Sequence, residues 1–193
     1  MSEPSSLYMR VRLTQESLEA FKASPLAAPN RYSDWRPWLD SKKFHGEITD
    51  EEIQNLNPSN EIARFPVHTF SDYLSLLLQD VSATPVQSLY DALSNTWTLC
   101  VMGLSENYKE FLLVLALLRG LEHYKDLPGE DFILIYPYFW EENAGAYANA
   151  YVTLTAGSSR LVDEIPASAI QEANEALGKM LEDFRSSHRE DDL

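Results

Sequence analysis

Cysteine occurs once and glycine only seven times in the 193 residues, and basic side chains are outnumbered two to one by acidic ones. Each scarcity excludes something. A lone Cys100 cannot close an intramolecular disulfide, and it sits in the apolar run Trp97-Thr98-Leu99-Cys100-Val101-Met102, so a buried, inert thiol in a reducing compartment is expected. The glycines form no G-x-x-x-x-G-K or G-x-G-x-x-G phosphate cradle, and no G-x-S-x-G turn exposes a serine nucleophile. Long apolar runs are missing too. The longest, Phe111 to Leu118, falls far short of the about 20 residues that cross a bilayer core. The opening Met1-Ser2-Glu3-Pro4-Ser5-Ser6 has neither a basic nor an apolar leader segment, so a cytoplasmic protein with no membrane association is expected. The four histidines, His45, His68, His123 and His188, lack metal-ligand spacing, and neither a metal nor a cofactor is expected.

What is present is acidity on a globular background. Thirty acids against 15 bases give a net charge of −15, while apolar residues make up 45% of the chain and aromatics 11%. Such a composition folds unaided. The imbalance is steepest from Lys125 onward, with 14 acids and five bases. A field of this sign repels nucleic acid and anionic membrane and steers a basic protein partner inward; keeping the chain soluble is its simpler use.

The pattern of apolar positions predicts one α+β domain spanning residues 1–193. Leu7, Met9, Val11 and Leu13 alternate with polar neighbours as in a half-buried strand. Thr14 caps a helix to about Ala23 that Pro25 stops. Residues 25–44, rich in proline and turn formers, read as an ordered surface excursion anchored by Trp35 and Trp38. Thr49-Asp50-Glu51-Glu52 has capping-box spacing for a helix to about Leu56. Phe70 to Val81 has helical periodicity, and Thr84 followed by Pro85 predicts another helix to about Leu93. Further strands are expected over Asn95–Gly103, Asp131–Trp140 and Tyr147–Thr155, with Arg160–Val162 pairing back as a hairpin. Pro137 must lie at an edge, a bulge or the end of its strand. Between them, Asn107–Lys125 is apolar nearly all round and should be the central helix, slightly weakened by Gly120. Pro166 opens a last amphipathic helix, and 186–193 reads as a frayed tail. The expected fold is thus an antiparallel or mixed sheet of about four to five strands packed by helices.

Two features stand out as candidate contacts for a partner. Trp35, Trp38, Tyr138 and Trp140 lie beside charged segments, where aromatic anchors with a polar rim make a binding patch. Glu141-Glu142 and Asp163-Glu164 lie near strand ends, where carboxylates can meet a partner's Lys and Arg. No catalytic residue is expected. Adjacent strand residues point to opposite faces, so Glu141 and Glu142 do not converge as an acid/base pair by themselves.

The stretch Asn107-Tyr108-Lys109-Glu110-Phe111 through Arg119-Gly120-Leu121, followed by Gly129-Glu130-Asp131-Phe132-Ile133-Leu134 and Tyr136-Pro137-Tyr138-Phe139-Trp140-Glu141, covers about a third of the chain. In pattern it resembles the small α+β immunity proteins that bacteria encode beside polymorphic or contact-delivered toxins. That resemblance implies a non-enzymatic cytosolic protein that binds a cognate toxin and occludes its active site; the charge implies that the toxin is basic. Two other classes stay open: an enzyme with an unfamiliar carboxylate site using Glu141 or Glu142 with a tyrosine, and an adaptor or chaperone for a secreted effector.

Overall fold

The computed structural model describes residues 4–42, 48–56, 67–79, 85–138 and 148–189. They form an α+β domain around one six-stranded, wholly antiparallel sheet of order β2-β3-β1-β4-β5-β6. The strands are β1 (Ser5–Arg12), β2 (Val86–Asp91), β3 (Thr96–Ser105), β4 (Asp131–Tyr136), β5 (Ala150–Thr155) and β6 (Ser158–Leu161). Six α-helices accompany them among the described residues: α1 (Gln15–Lys22), α2 (Trp35–Ser41), α3 (Asp50–Asn55), α4 (Phe70–Gln79), α5 (Tyr108–Arg119) and α6 (Ala167–Arg189).

Alternation along the central strands makes two cores, one on each face of the sheet. Leu7, Met9, Val11, Trp97, Leu99, Val101, Ile133 and Val152 meet the helices α1 to α5. Tyr8, Cys100, Met102, Phe132, Leu134, Tyr136 and Tyr151 face α6, which lays Ala169, Ala173, Leu177 and Met180 on them. The central strand β1 is therefore buried on both sides, although its sequence alternates, because Tyr8 and Arg10 are tied down under α6: the Tyr8 hydroxyl donates to Glu172 at 2.7 Å and Arg10 Nε lies 2.8 Å from the same carboxylate.

Local chemistry sets most element ends as expected. Thr14 caps α1, accepting from the Ser17 backbone N–H at 3.3 Å, and Asp126 in turn accepts from the Thr14 N–H and the Ser17 hydroxyl. At α3 the capping box is complete in both directions, Thr49 with the Glu52 N–H and Glu52 with the Thr49 N–H. Pro137 follows the end of β4 and so costs no ladder bond. The hairpin of β5 and β6 forms, closed by Ala156 and Gly157.

Several readings need correction. Residues 86–91 are a strand, not a helix. Val86, Ser88 and Tyr90 alternate toward the helix-covered face, opposite Val101, Leu99 and Trp97, whereas Leu89 and Leu93, which a helix would have turned inward, are exposed. Pro85 signals the first residue of an edge strand as readily as the first turn of a helix, and here pairing with β3 decides. The sheet accordingly has six strands rather than four to five. The central helix is shorter than expected: α5 ends at Arg119, where glycine's poor helix propensity weakens continuation, and Gly120–His123 tightens into a 3-10 turn. At the other end α6 stays helical through Arg189, three residues past Ser186. Two expected strand limits also move inward: β4 ends at Tyr136, where Pro137 can donate no ladder bond, and β5 starts at Ala150, while Trp140, Tyr147, Thr84 and Val81 lie outside the described residues.

Candidate functional site

The residues singled out from sequence do not form one surface. Trp35 and Trp38 belong to the core, at 2% and 4% exposure. Trp35 Nε1 donates to the Pro29 carbonyl at 2.6 Å, Trp38 Nε1 to the Asn149 carbonyl at 2.9 Å, and their rings meet edge-on at 6.2 Å. The turn-rich segment folds into α2 and lays both indoles against α5, so their rings are not offered to a partner. Tyr138 is half-buried beside Tyr136 on the α6 side. Asp163 and Glu164 are exposed in the β6–α6 connection. Near Asp163, Lys42 donates to the Ala148 carbonyl at 3.2 Å; burial pulls its pKa down more than the Asp163 charge raises it. Trp140, Glu141 and Glu142 lie outside the described residues.

What the fold does create is an asymmetry between the two edges of the sheet. At β6, Val162 N–H bonds to Tyr151 in β5, so by alternation the backbone groups of Ser159 and Leu161 point outward. Both are occupied. Arg119, reaching across from α5, donates to the Ser159 carbonyl at 3.0 Å, and the Leu161 N–H donates to Asp34 at 3.0 Å. Arg119 and Asp34 are themselves joined by two bonds of 2.8 and 2.9 Å, with the guanidinium over the rings of Tyr32 and Trp35. This side-chain pair stands where a further strand would lie.

At β2 the same bookkeeping gives the opposite result. The Met102 N–H bonds to the Pro85 carbonyl at 3.0 Å, so Pro85, Gln87, Leu89 and Asp91 face β3, and the N–H and C=O of Val86, Ser88 and Tyr90 face away. Nothing among the described residues pairs with that outer side. Edge strands are ordinarily guarded by lysine, an internal proline or a bulge. Val86–Asp91 contains none of these, and its register with β3 is unbroken. Leu89, 54% exposed, and Leu93, 97% exposed in the following turn, add apolar surface beside it.

The charged residues in the stretch of sequence that contains this edge are of one sign. Between Arg64 and Lys109 the chain has no lysine or arginine, but it has Asp72, Asp80, Asp91 and Glu106. Asp72 accepts from the backbone N–H groups of Thr69 and His68, which hold its pKa below the usual range. Asp91 is held down likewise by the Ser94 hydroxyl and the Leu93 N–H. Both are anionic at neutral pH. At the N-terminal end of β2, where β3 runs on past Met102, a cavity of about 220 Å³ opens between Tyr73, Leu77, Leu104, Leu113 and Val114, with the Glu110 carboxylate as its acidic group. Leu104 reaches that side because the β1–β3 register slips opposite Gly103, whose φ is +58°.

No protein-family model matches the chain, and no curated protein or solved structure matches it. The chemistry of the surface is therefore that of its own groups. Unpaired backbone, apolar side chains and carboxylates can bind an extended cationic segment. The buried Cys100 thiol, by contrast, is pushed up to about 12 by desolvation and stays protonated. A second, more open cavity of about 430 Å³ lies over Arg119 between Arg31, Ser33, Glu122 and Arg160, but the guanidinium on its floor is already committed to Asp34 and Ser159. Reading 84–93 as a helix concealed the β2 edge. One signal in the sequence points to its chemistry, the long cation-free stretch around it.

Proposed function

We propose that the protein is a non-enzymatic binding protein that neutralises a cognate basic toxin by covering its active site, the immunity role that its sequence resemblance implies, and that the β2 side of the sheet is the contact face. One observation carries this reading: a sheet edge that no described residue pairs with, and its exposed leucines, lie in a stretch that bears four acids and no lysine or arginine. Such a surface attracts a basic partner at long range and offers it main-chain bonds and apolar area on arrival. Neutralisation then needs no group beyond those that bind, since a slowly dissociating complex excludes substrate.

Co-expression with the product of the adjacent gene tests it. A basic neighbour that kills cells alone, is tolerated with this protein and copurifies in fixed ratio supports the proposal; a neighbour bound without protection points to an adaptor. The contact face is separated from the acidic strand ends by adding cations. Ser75→Lys with Leu89→Lys, both at exposed positions, should slow association at low salt, whereas Glu141→Lys with Glu142→Lys should do so only if the β4–β5 connection makes the contact.

A further inference from the structure

We propose that β2 takes an extended, lysine- or arginine-rich segment of the partner as a seventh strand, hydrogen-bonded to the outward backbone of Val86, Ser88 and Tyr90. This rests on the reading of the protein as the binder of a basic protein, and it specifies how binding occurs.

Three independent features support strand addition over a face-to-face contact. The first is the contrast between edges: β6 has its outward Ser159 carbonyl and Leu161 N–H satisfied by Arg119 and Asp34, while at β2 no group among the described residues plays that part. A charged pair covers one edge and no described residue pairs with the other, which leaves that edge as a template for pairing. The second is the edge's straight register with β3, which presents alternate residues in one line, as an incoming strand requires. Third, the flanking chemistry suits a cation. A strand beside β2 would place alternate side chains on the face of the sheet that α4 covers, in line with Val86 and Tyr90. The stretch of sequence that contains β2 carries Asp72, Asp80, Asp91 and Glu106 and no lysine or arginine, so a cationic strand meets charge of opposite sign. Side chains on the opposite face would lie along Leu89. A second copy of this chain is the poorer occupant, because each copy would bring −15 to the contact.

The test is residue-resolved amide exchange on the full chain, using a synthetic peptide of about ten alternating lysines and valines as the probe. Two controls carry the alternatives: the same peptide N-methylated at alternate residues, which keeps the charge but cannot complete a ladder, and a glutamate–valine counterpart. The proposal expects exchange at Val86, Ser88 and Tyr90 to slow at least about tenfold with the basic peptide and with neither control. Ser88→Pro should abolish that protection, since its lost N–H points outward, while Ser88→Ala, which also gives up the bond from Trp97 Nε1, should retain it. Leu89→Lys, at an exposed position, should weaken it without loss of fold. Equal binding of the N-methylated peptide, or protection confined to other residues, overturns strand addition but leaves the basic-partner reading standing. Protection of these amides in the free protein that grows with its concentration overturns it in favour of self-pairing. If the basic peptide gives no protection, strand addition falls; if co-expression also yields no basic partner, the underlying reading falls with it.

Discussion

Removing the Asp34 carboxylate would strand a guanidinium inside the protein. Arg119 is 2% exposed and makes bonds of 2.8 and 2.9 Å to Asp34; it also donates to the Ser159 hydroxyl and carbonyl. Breaking such a pair from one side costs about 3–5 kcal/mol, because the remaining charge stays buried without compensation. Asp34 is 32% exposed, so water can partly replace it, and the low end, about 3 kcal/mol, is expected for Asp34→Ala. For a chain of this length that corresponds to a fall in Tm of about 6–12 °C. Arg119→Met keeps an apolar stem over Tyr32 and Trp35 while removing the charge, so the double variant should recover about 2 kcal/mol relative to the sum of the singles. Urea denaturation of all four proteins, with the m-value checked for constancy, measures the cycle. Additive losses, or an Asp34→Ala cost under about 1 kcal/mol, would refute the assignment of Arg119 and Asp34 as one buried unit.

Acid and alkali should both destabilise, for opposite reasons. Glu52, held down to about 2 by Lys109 and the Thr49 cap, and Asp72 and Asp91, lowered by their caps, contribute stability above the ordinary carboxylate range that is lost as pH falls below about 4; Tyr8, Tyr73, Tyr136 and Tyr32, the last pushed up to about 12, are raised mainly by burial, so stability falls as pH rises past about 10. Circular dichroism melts across pH check both limbs. Cys100 should react with an aromatic disulfide only as fast as the chain unfolds, and fast labelling in native buffer would contradict its burial at 1% exposure. Asn95 adopts φ +51° and accepts from the Tyr90 hydroxyl, so Asn95→Ala should cost about 1–2 kcal/mol, whereas Leu93→Ser in the same turn should stay within about 0.5 kcal/mol. Gly129→Ala should lower Tm as well, since φ is +119° and a Cβ would lie 1.6 Å from Arg12 Nη2, driving that side chain off Asp131.

Much of the fold was legible because it is written in short-range chemistry. The caps at Thr14 and Thr49, the period of α4 and α6, the alternation of β1 and the apolar run of α5 each depend on residues within a few positions of one another. The sequence by itself thus determined an α+β protein with a twofold excess of acids, a buried thiol and a central helix. Tertiary structure alone decided the rest. Residues 86–91 are too short and too mixed for periodicity to choose between helix and strand, and pairing with β3 made the choice. Trp35 and Trp38 looked like surface anchors because the chain around them is rich in turn formers; their exposure depended on where α2 would pack, 70 residues and more from α5. The pairing of Asp34 with Arg119 joins residues 85 positions apart, and only packing selects which carboxylate meets that buried guanidinium. The covering of the β6 edge follows from that long-range contact, and no local pattern encodes it.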